Sequence, residues 1–155
     1  MNELGHLIAP EAILPRLPAA SRRQALQAMT DALAKTAAID ARAAFEAVLI
    51  RERLSGTGIG EGVAIPHAPV AGVTHPLGAF ARLETPQDFD ALDGRPADLV
   101  LMLLAPPDKG ADYLKALARV SRLLRRPEIR EKLRAARGAE ELHALFASAA
   151  HSDAA

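Results

Sequence analysis

The 155-residue sequence contains no cysteine and no tryptophan, and its aromatic residues amount to one tyrosine, Tyr113, and four phenylalanines. The missing cysteine excludes disulfides, thiolate metal sites and a cysteine nucleophile together. At this length folding can bury roughly two-thirds of the surface that the unfolded chain exposes. With so few aromatics, that core must be built from Leu, Val, Ile and Ala. An excess of charge of one sign is missing too: 19 Lys and Arg balance 19 Asp and Glu. No global field therefore steers the chain to nucleic acid or to an anionic membrane. No apolar run approaches the ~18 residues of a membrane span and no signal-peptide pattern opens the chain. No nucleic acid and no membrane insertion are expected, and a cytoplasmic location is the simplest expectation.

What is present reads as one domain over 1–155, with 1–11 and 150–155 as loosely ordered ends. A short strand is expected near Ile13–Leu17. Ser21-Arg22-Arg23-Gln24 has capping-box form and opens a helix with the apolar stripe Leu26, Met29 and Leu33. Asp40 can cap a second helix that turns Phe45, Val48 and Leu49 inward. Glycines at 56, 58, 60 and 62 break any helix. Strands are expected at Val63–Ile65 and Gly78–Leu83, and a turn at Asp93-Gly94. The run "DLVLMLLA" (98–105), closed by Pro106-Pro107, reads as a strand buried on both faces. Three helices follow, at about 112–125, from Pro127 to near Gly138, and at about 139–149. The first is assigned the face Leu114, Leu117, Ser121 and Leu124; the third, Leu142, Leu145 and Phe146. Helices before and after a strand cluster predict an α/β domain, a mixed central sheet with helices on both sides.

The stretch with chemical content is Gly56 to Pro69, "GTGIGEGVAIPHAP". It sets one histidine, His67, between two prolines just past a glycine-rich run and a short apolar strand. Pro66 has no N–H, and prolines disfavour helical geometry in the residues before them. His67 is therefore expected where a strand gives way to a rigid, non-helical turn. Imidazole titrates near neutrality, so much of it is a neutral nucleophile at cellular pH. Phosphoryl transfer asks a protein for positioning and for donors to the phosphoryl oxygens. The glycine segment can offer N–H groups, with Gly58 and Gly60 expected to line the site and Thr57 to add a hydroxyl. Arg51 can supply a forked cation. No Gly-Lys-Ser/Thr follows the glycines, which excludes a Walker motif, and their spacing is not that of a dinucleotide fingerprint.

"VLIRERLSGTGIGEGVAIPHAP" resembles the active-site signature of the type-2 enzyme IIA components of the bacterial phosphotransferase system. This is the fructose, mannitol and nitrogen-regulatory group. The likeness continues through "LETPQDFDALDGRPADLVLMLLAPP" and "LKALARVSRLLRRPEIREKLRAA", from about residue 12 to 147. It implies a transiently phosphorylated histidine at His67, a supporting arginine at Arg51 and no bound cofactor. The implied donor is an HPr-like phosphocarrier protein, itself charged from phosphoenolpyruvate through an enzyme I. The later helices resemble the nitrogen-regulatory branch best. That branch acts on regulated protein targets, potassium transport and sensor kinase proteins among them, according to its phosphorylation state. A fructose-type carrier passing phosphate to a IIB domain is the second reading. The third is a non-catalytic binding module with a lapsed relay.

Two departures bear on these readings. The family's pattern implies a His-Leu pair at the start of the helix after the buried strand, with that second histidine beside the phosphorylated one. Tyr113-Leu114 stand there instead, and a phenol cannot take up positive charge. Ala68 stands where many members have Gly. The remaining histidines, His6, His75, His143 and His151, share no ligand spacing, so no metal site is assigned. Residues 109–137 carry ten Lys or Arg, read as a solvated pair of helices or a docking face for an acidic partner.

Overall fold

The computed structural model describes residues 3–154, with side chains from 4 to 148. In chain order the elements are α1 (Glu3–Leu7), β1 (Ile8–Leu17), α2 (Arg22–Thr36), α3 (Ala41–Leu54), β2 (Gly58–Gly60) and β3 (Val63–Ala64). Then come β4 (His67–Pro69), β5 (Leu77–Gln87), β6 (Ala97–Ala105), α4 (Ala111–Leu124), α5 (Pro127–Ala135) and α6 (Ala139–Ala154).

The helix starts follow from their short polar residues. Ser21 Oγ accepts the Gln24 N–H at 3.1 Å, and Gln24 Oε1 answers by accepting the Ala20 N–H at 2.8 Å. Asp40 Oδ1 accepts the N–H groups of both Arg42 and Ala43. Each cap satisfies donors that a first helical turn leaves without an intrahelical partner.

The sheet is mixed, in the order β1-β5-β6-β3-β2, with β4 also paired to β6. β5 runs antiparallel to β6, whereas β3 and β4 run parallel to it. β3 and β4 occupy one side of β6 in succession, level with Leu99–Val100 and Leu103–Ala105. The break between them falls at Pro66, which has no N–H to give. Its carbonyl still accepts the Leu103 N–H at 2.9 Å.

Strand pleating divides β6 between two cores. Val100, Met102 and Leu104 pack with Leu26, Met29 and Leu33 of α2 and with Phe45 and Val48 of α3. Leu99 and Leu101 pack with Val120, Leu123, Ile129, Leu133, Leu142 and Phe146 of the last three helices. Helices on both faces explain why this strand has no polar alternation. Among the described residues, no helix is long and apolar enough to cross a membrane.

Arg82 of β5 ties the layers together. Its Nε donates to Pro15 O at 2.8 Å, and its Nη1 reaches the carbonyls of Leu133, Arg134 and Ala136. Those carbonyls lie at the end of α5, where acceptors lack helical partners.

Four expectations need correction. Residues 3–11 are not a loose end: Leu4 and Ile8 are buried, and His143 Nε2–H donates to Gly5 O at 3.0 Å. At the other end, the expectation for 150–155 falls on side chains outside those described, although the α6 backbone continues to Ala154. The glycine run, expected to offer free N–H groups as a phosphoryl-binding loop, is in part a strand, because Gly58–Gly60 pair antiparallel with β3. His67 lies within a short strand rather than in a turn beyond one. On α4, Tyr113, Val120, Leu123 and Leu124 face inward, while Leu114 is 61% exposed. The stripes 113-117-120-124 and 114-117-121-124 both fit a helix, and the position of the sheet selects the first.

The corrected face can be tested by urea unfolding. Leu123→Ala should cost about 2–5 kcal/mol, whereas Leu114→Ala should stay within about 0.5 kcal/mol of the parent. A large loss at Leu114 would restore the other face.

Candidate active site

The site begins at β4. His67 is level with Leu103, Ala68 with Leu104 and Pro69 with Ala105 of β6. Alternation sends Ala68 into the core under α2 and α3 and leaves His67 on the face of Leu103. Tyr113 packs against Leu103 on that face and is itself buried. Ala68 has no room for a large side chain, since it is closed in between the sheet and the helices.

The ring of His67 is half-buried, and its Nδ1 lies 2.8 Å from Ile65 O. A carbonyl only accepts, so Nδ1 carries the proton. Nε2 is left with the free lone pair. Burial lowers the His67 pKa from its ordinary value. The Ile65 carbonyl opposes that shift, and the charges of Arg51 and Lys109 add to it. The ring is therefore kept neutral at physiological pH.

Arg51 stands in the last turn of α3, where its Nη1 donates to Ser55 O at 2.6 Å. A cation there complements the negative end of the helix. Its charge acts on His67 and also on the Tyr113 phenol, whose pKa burial raises. Thus the charge of Arg51 reaches both His67 and Tyr113, which share the face of Leu103.

The glycine-segment residues are placed otherwise. Thr57 is near, since its carbonyl accepts the Ile65 N–H at 3.0 Å. Both its own donors are taken by Glu52, however: the hydroxyl by Oε1 at 2.6 Å and the N–H by Oε2 at 2.9 Å. The Gly58 N–H is given to Phe89 O at 2.9 Å. A Cβ there would come within 2.9 Å of the Ala91 side chain, so its smallness serves close approach to the 89–91 loop. Gly60 has φ +96° and pairs with Val63, which is level with Leu99. That is four strand positions from Leu103, about 13 Å along the sheet. The Gly58 N–H is thus already engaged, and Gly60 lies along the sheet from the level of His67.

Glu52 was not foreseen. It is 2% exposed, one helical turn beyond Val48 on the stripe that α3 buries. Burial raises its pKa, while the two Thr57 donors and the charges of Arg22 and Arg51 oppose that rise. Arg22 Nη1 lies 3.6 Å from it and 2.9 Å from Asp90. The signal was a carboxylate in register with Ala44, Phe45 and Val48, hidden between Arg51 and Arg53. Lys109 was not foreseen either. Among the described residues, no group of three or more His, Asp or Glu converges as a metal would require.

Residues 6–149 match the family described as phosphoenolpyruvate-dependent sugar phosphotransferase system, EIIA 2. A nitrogen regulatory protein of Bradyrhizobium diazoefficiens is 50% identical over 141 residues, which are 91% of this chain and 92% of that one. The solved nitrogen regulatory protein IIA-Ntr of Neisseria meningitidis superposes with a TM-score of 0.86 at 32% identity, covering 93% of this chain and 99% of the other. The IIA mannitol structure from Escherichia coli shares the fold at 22% identity and a TM-score of 0.75, over 90% of this chain and 98% of its own.

An NMR titration should find the His67 pKa below its ordinary 6.5, and Arg51→Ala should raise it. Folding favours the neutral ring, so this contribution to stability is fully present above the unfolded value. It is lost as pH falls through the lower folded one. Thermal unfolding should therefore decline more on acidification through this range in the parent than in His67→Gln. A His67 value at or above 6.5 would refute the assignment.

Proposed function

The chain belongs to the EIIA type-2 family of the phosphoenolpyruvate-dependent sugar phosphotransferase system, and on that premise we propose that it is a phosphoryl-accepting regulator that uses His67. An HPr-like phosphocarrier protein is the donor, and the phosphorylation state governs which target proteins the chain binds in the cytoplasm. Nitrogen regulation is the branch favoured by the names of its relatives.

The observation that carries this reading is the Nδ1–H hydrogen bond to Ile65 O. It leaves Nε2 as the attacking atom. The Nε2 lone pair forms the new N–P bond while the donor's own bond to phosphorus breaks, and that electron pair returns to the donor. No proton has to leave the ring, because Nε2 carries none. The phosphorylated ring gains positive character, which the Ile65 carbonyl stabilises through the retained Nδ1–H. Arg51 offers its remaining N–H groups to the phosphoryl oxygens, where charge is held in the transition state. Tyr113 supplies at most a hydroxyl.

A protein donor suits the surroundings of His67. Ile50 and Leu54 lie one turn apart on either side of Arg51, and Leu114 follows Tyr113; all three are exposed. Aliphatic side chains around a reactive centre are what a transient protein partner covers.

Incubation with phosphoenolpyruvate, enzyme I and the carrier should add one acid-labile phosphoryl group, read by intact mass. His67→Ala should take none, and Arg51→Ala should slow uptake by about 100-fold. Full labelling of His67→Ala would sink the proposal.

A further inference from the structure

The turn that follows β6 presents a lysine in a backbone conformation that lysine rarely adopts. Lys109 has φ +62°, and its N–H donates to Pro106 O at 2.9 Å, closing the turn just before α4. Asn and Gly take positive φ more readily, and a longer residue held there points to a use for its side chain. The turn leaves the sheet at Ala105, two positions beyond Leu103, the residue level with His67. Lys109 is exposed and lines a cleft of about 280 Å³ with Pro106, His75 and Tyr113. Asp108 and Asp112 line the same cleft, yet among the described residues no salt bridge engages Lys109. The charge of Lys109 is also felt at His67, where it adds to the lowering of the ring's pKa.

Charge arithmetic shows what such a cation would do. A phosphoryl group brings up to about two negative charges. Arg51 supplies one positive charge and Tyr113 none. We propose that Lys109 is the second phosphoryl-binding cation of the relay site, reaching the phosphoryl oxygens on His67 Nε2 from the turn after β6 while Arg51 reaches them from the end of α3. The assignment rests on the relay reading above. It gives the site a charge beside Tyr113 that the phenol cannot carry. A lysine on a flexible stem suits the role, since it can swing aside as a donor protein docks and close once the group has moved.

Lys109→Asn removes the charge but tolerates the positive φ, Lys109→Arg keeps the charge, and Lys115→Asn removes an exposed lysine one helical turn into α4. Phosphoryl uptake in Lys109→Asn should be about tenfold slower, an effect that shrinks at high ionic strength because the cation is exposed. Lys109→Arg should recover most of the rate, and Lys115→Asn should leave it unchanged. Independently of any phosphoryl transfer, the NMR titration of His67 should move upward in Lys109→Asn. Equal uptake rates and equal His67 titrations in Lys109→Asn and the parent would overturn the assignment while leaving the relay intact. No uptake by the parent with an active donor chain would overturn both.

Discussion

The buried Glu52 carboxylate is the constraint on which the site depends. A carboxylate taken out of water is costly unless its oxygens are given donors. Here the donors are the Thr57 hydroxyl and N–H, with the Arg22 guanidinium behind them. The bonds fix how the chain leaves α3, and they place the Thr57 carbonyl where it accepts the Ile65 N–H. Ile65 in turn presents the carbonyl that holds the His67 ring. A chain of contacts thus runs from Arg22 through Glu52, Thr57 and Ile65 to the imidazole. Each member of it is a positioning group, and only the last meets the phosphoryl group in the proposed reaction.

Two opposing requirements meet at that imidazole. A phosphoryl acceptor must be neutral before transfer, and its environment must favour negative charge afterwards. Burial and the nearby cations serve both ends. They disfavour an imidazolium, which leaves Nε2 with a free lone pair, and in the proposed reaction the same positive charges would attract the phosphoryl oxygens. The Ile65 carbonyl works in the other direction, holding a ring that becomes positive without letting it turn. The balance of these effects, rather than any one of them, is what supports the proposed relay at a half-buried histidine.

The glycine-rich run shows how one composition can serve two physical purposes. In sequence it looks like a source of backbone donors for an anion. In the fold, Gly58 lies so close to the 89–91 loop that a side chain would collide, and the donor it might have offered is already given to Phe89 O. The segment is an edge strand wedged against a loop. Its service to the site is indirect, through the anchoring of Thr57.

Much of this protein was legible in its sequence because local rules suffice for it. The Ser21 and Asp40 caps depend on donors two or three residues away, and the two-sided burial of β6 follows from an apolar run too short for most helices. The proline-flanked setting of His67 was legible for the same reason, while the roles expected of His67 and Arg51 came from the family resemblance. What the sequence left open needed the sheet. Either stripe of α4 satisfies helical periodicity, and only the place of Leu103 decides that Tyr113 turns inward and Leu114 outward. Glu52 lay on a readable stripe, but its partners come from α2 and from the loop before β2. The free ring nitrogen, too, needed the tertiary structure: both imidazole nitrogens are chemically competent, and the tautomer follows from which carbonyl the packed chain brings within 2.8 Å.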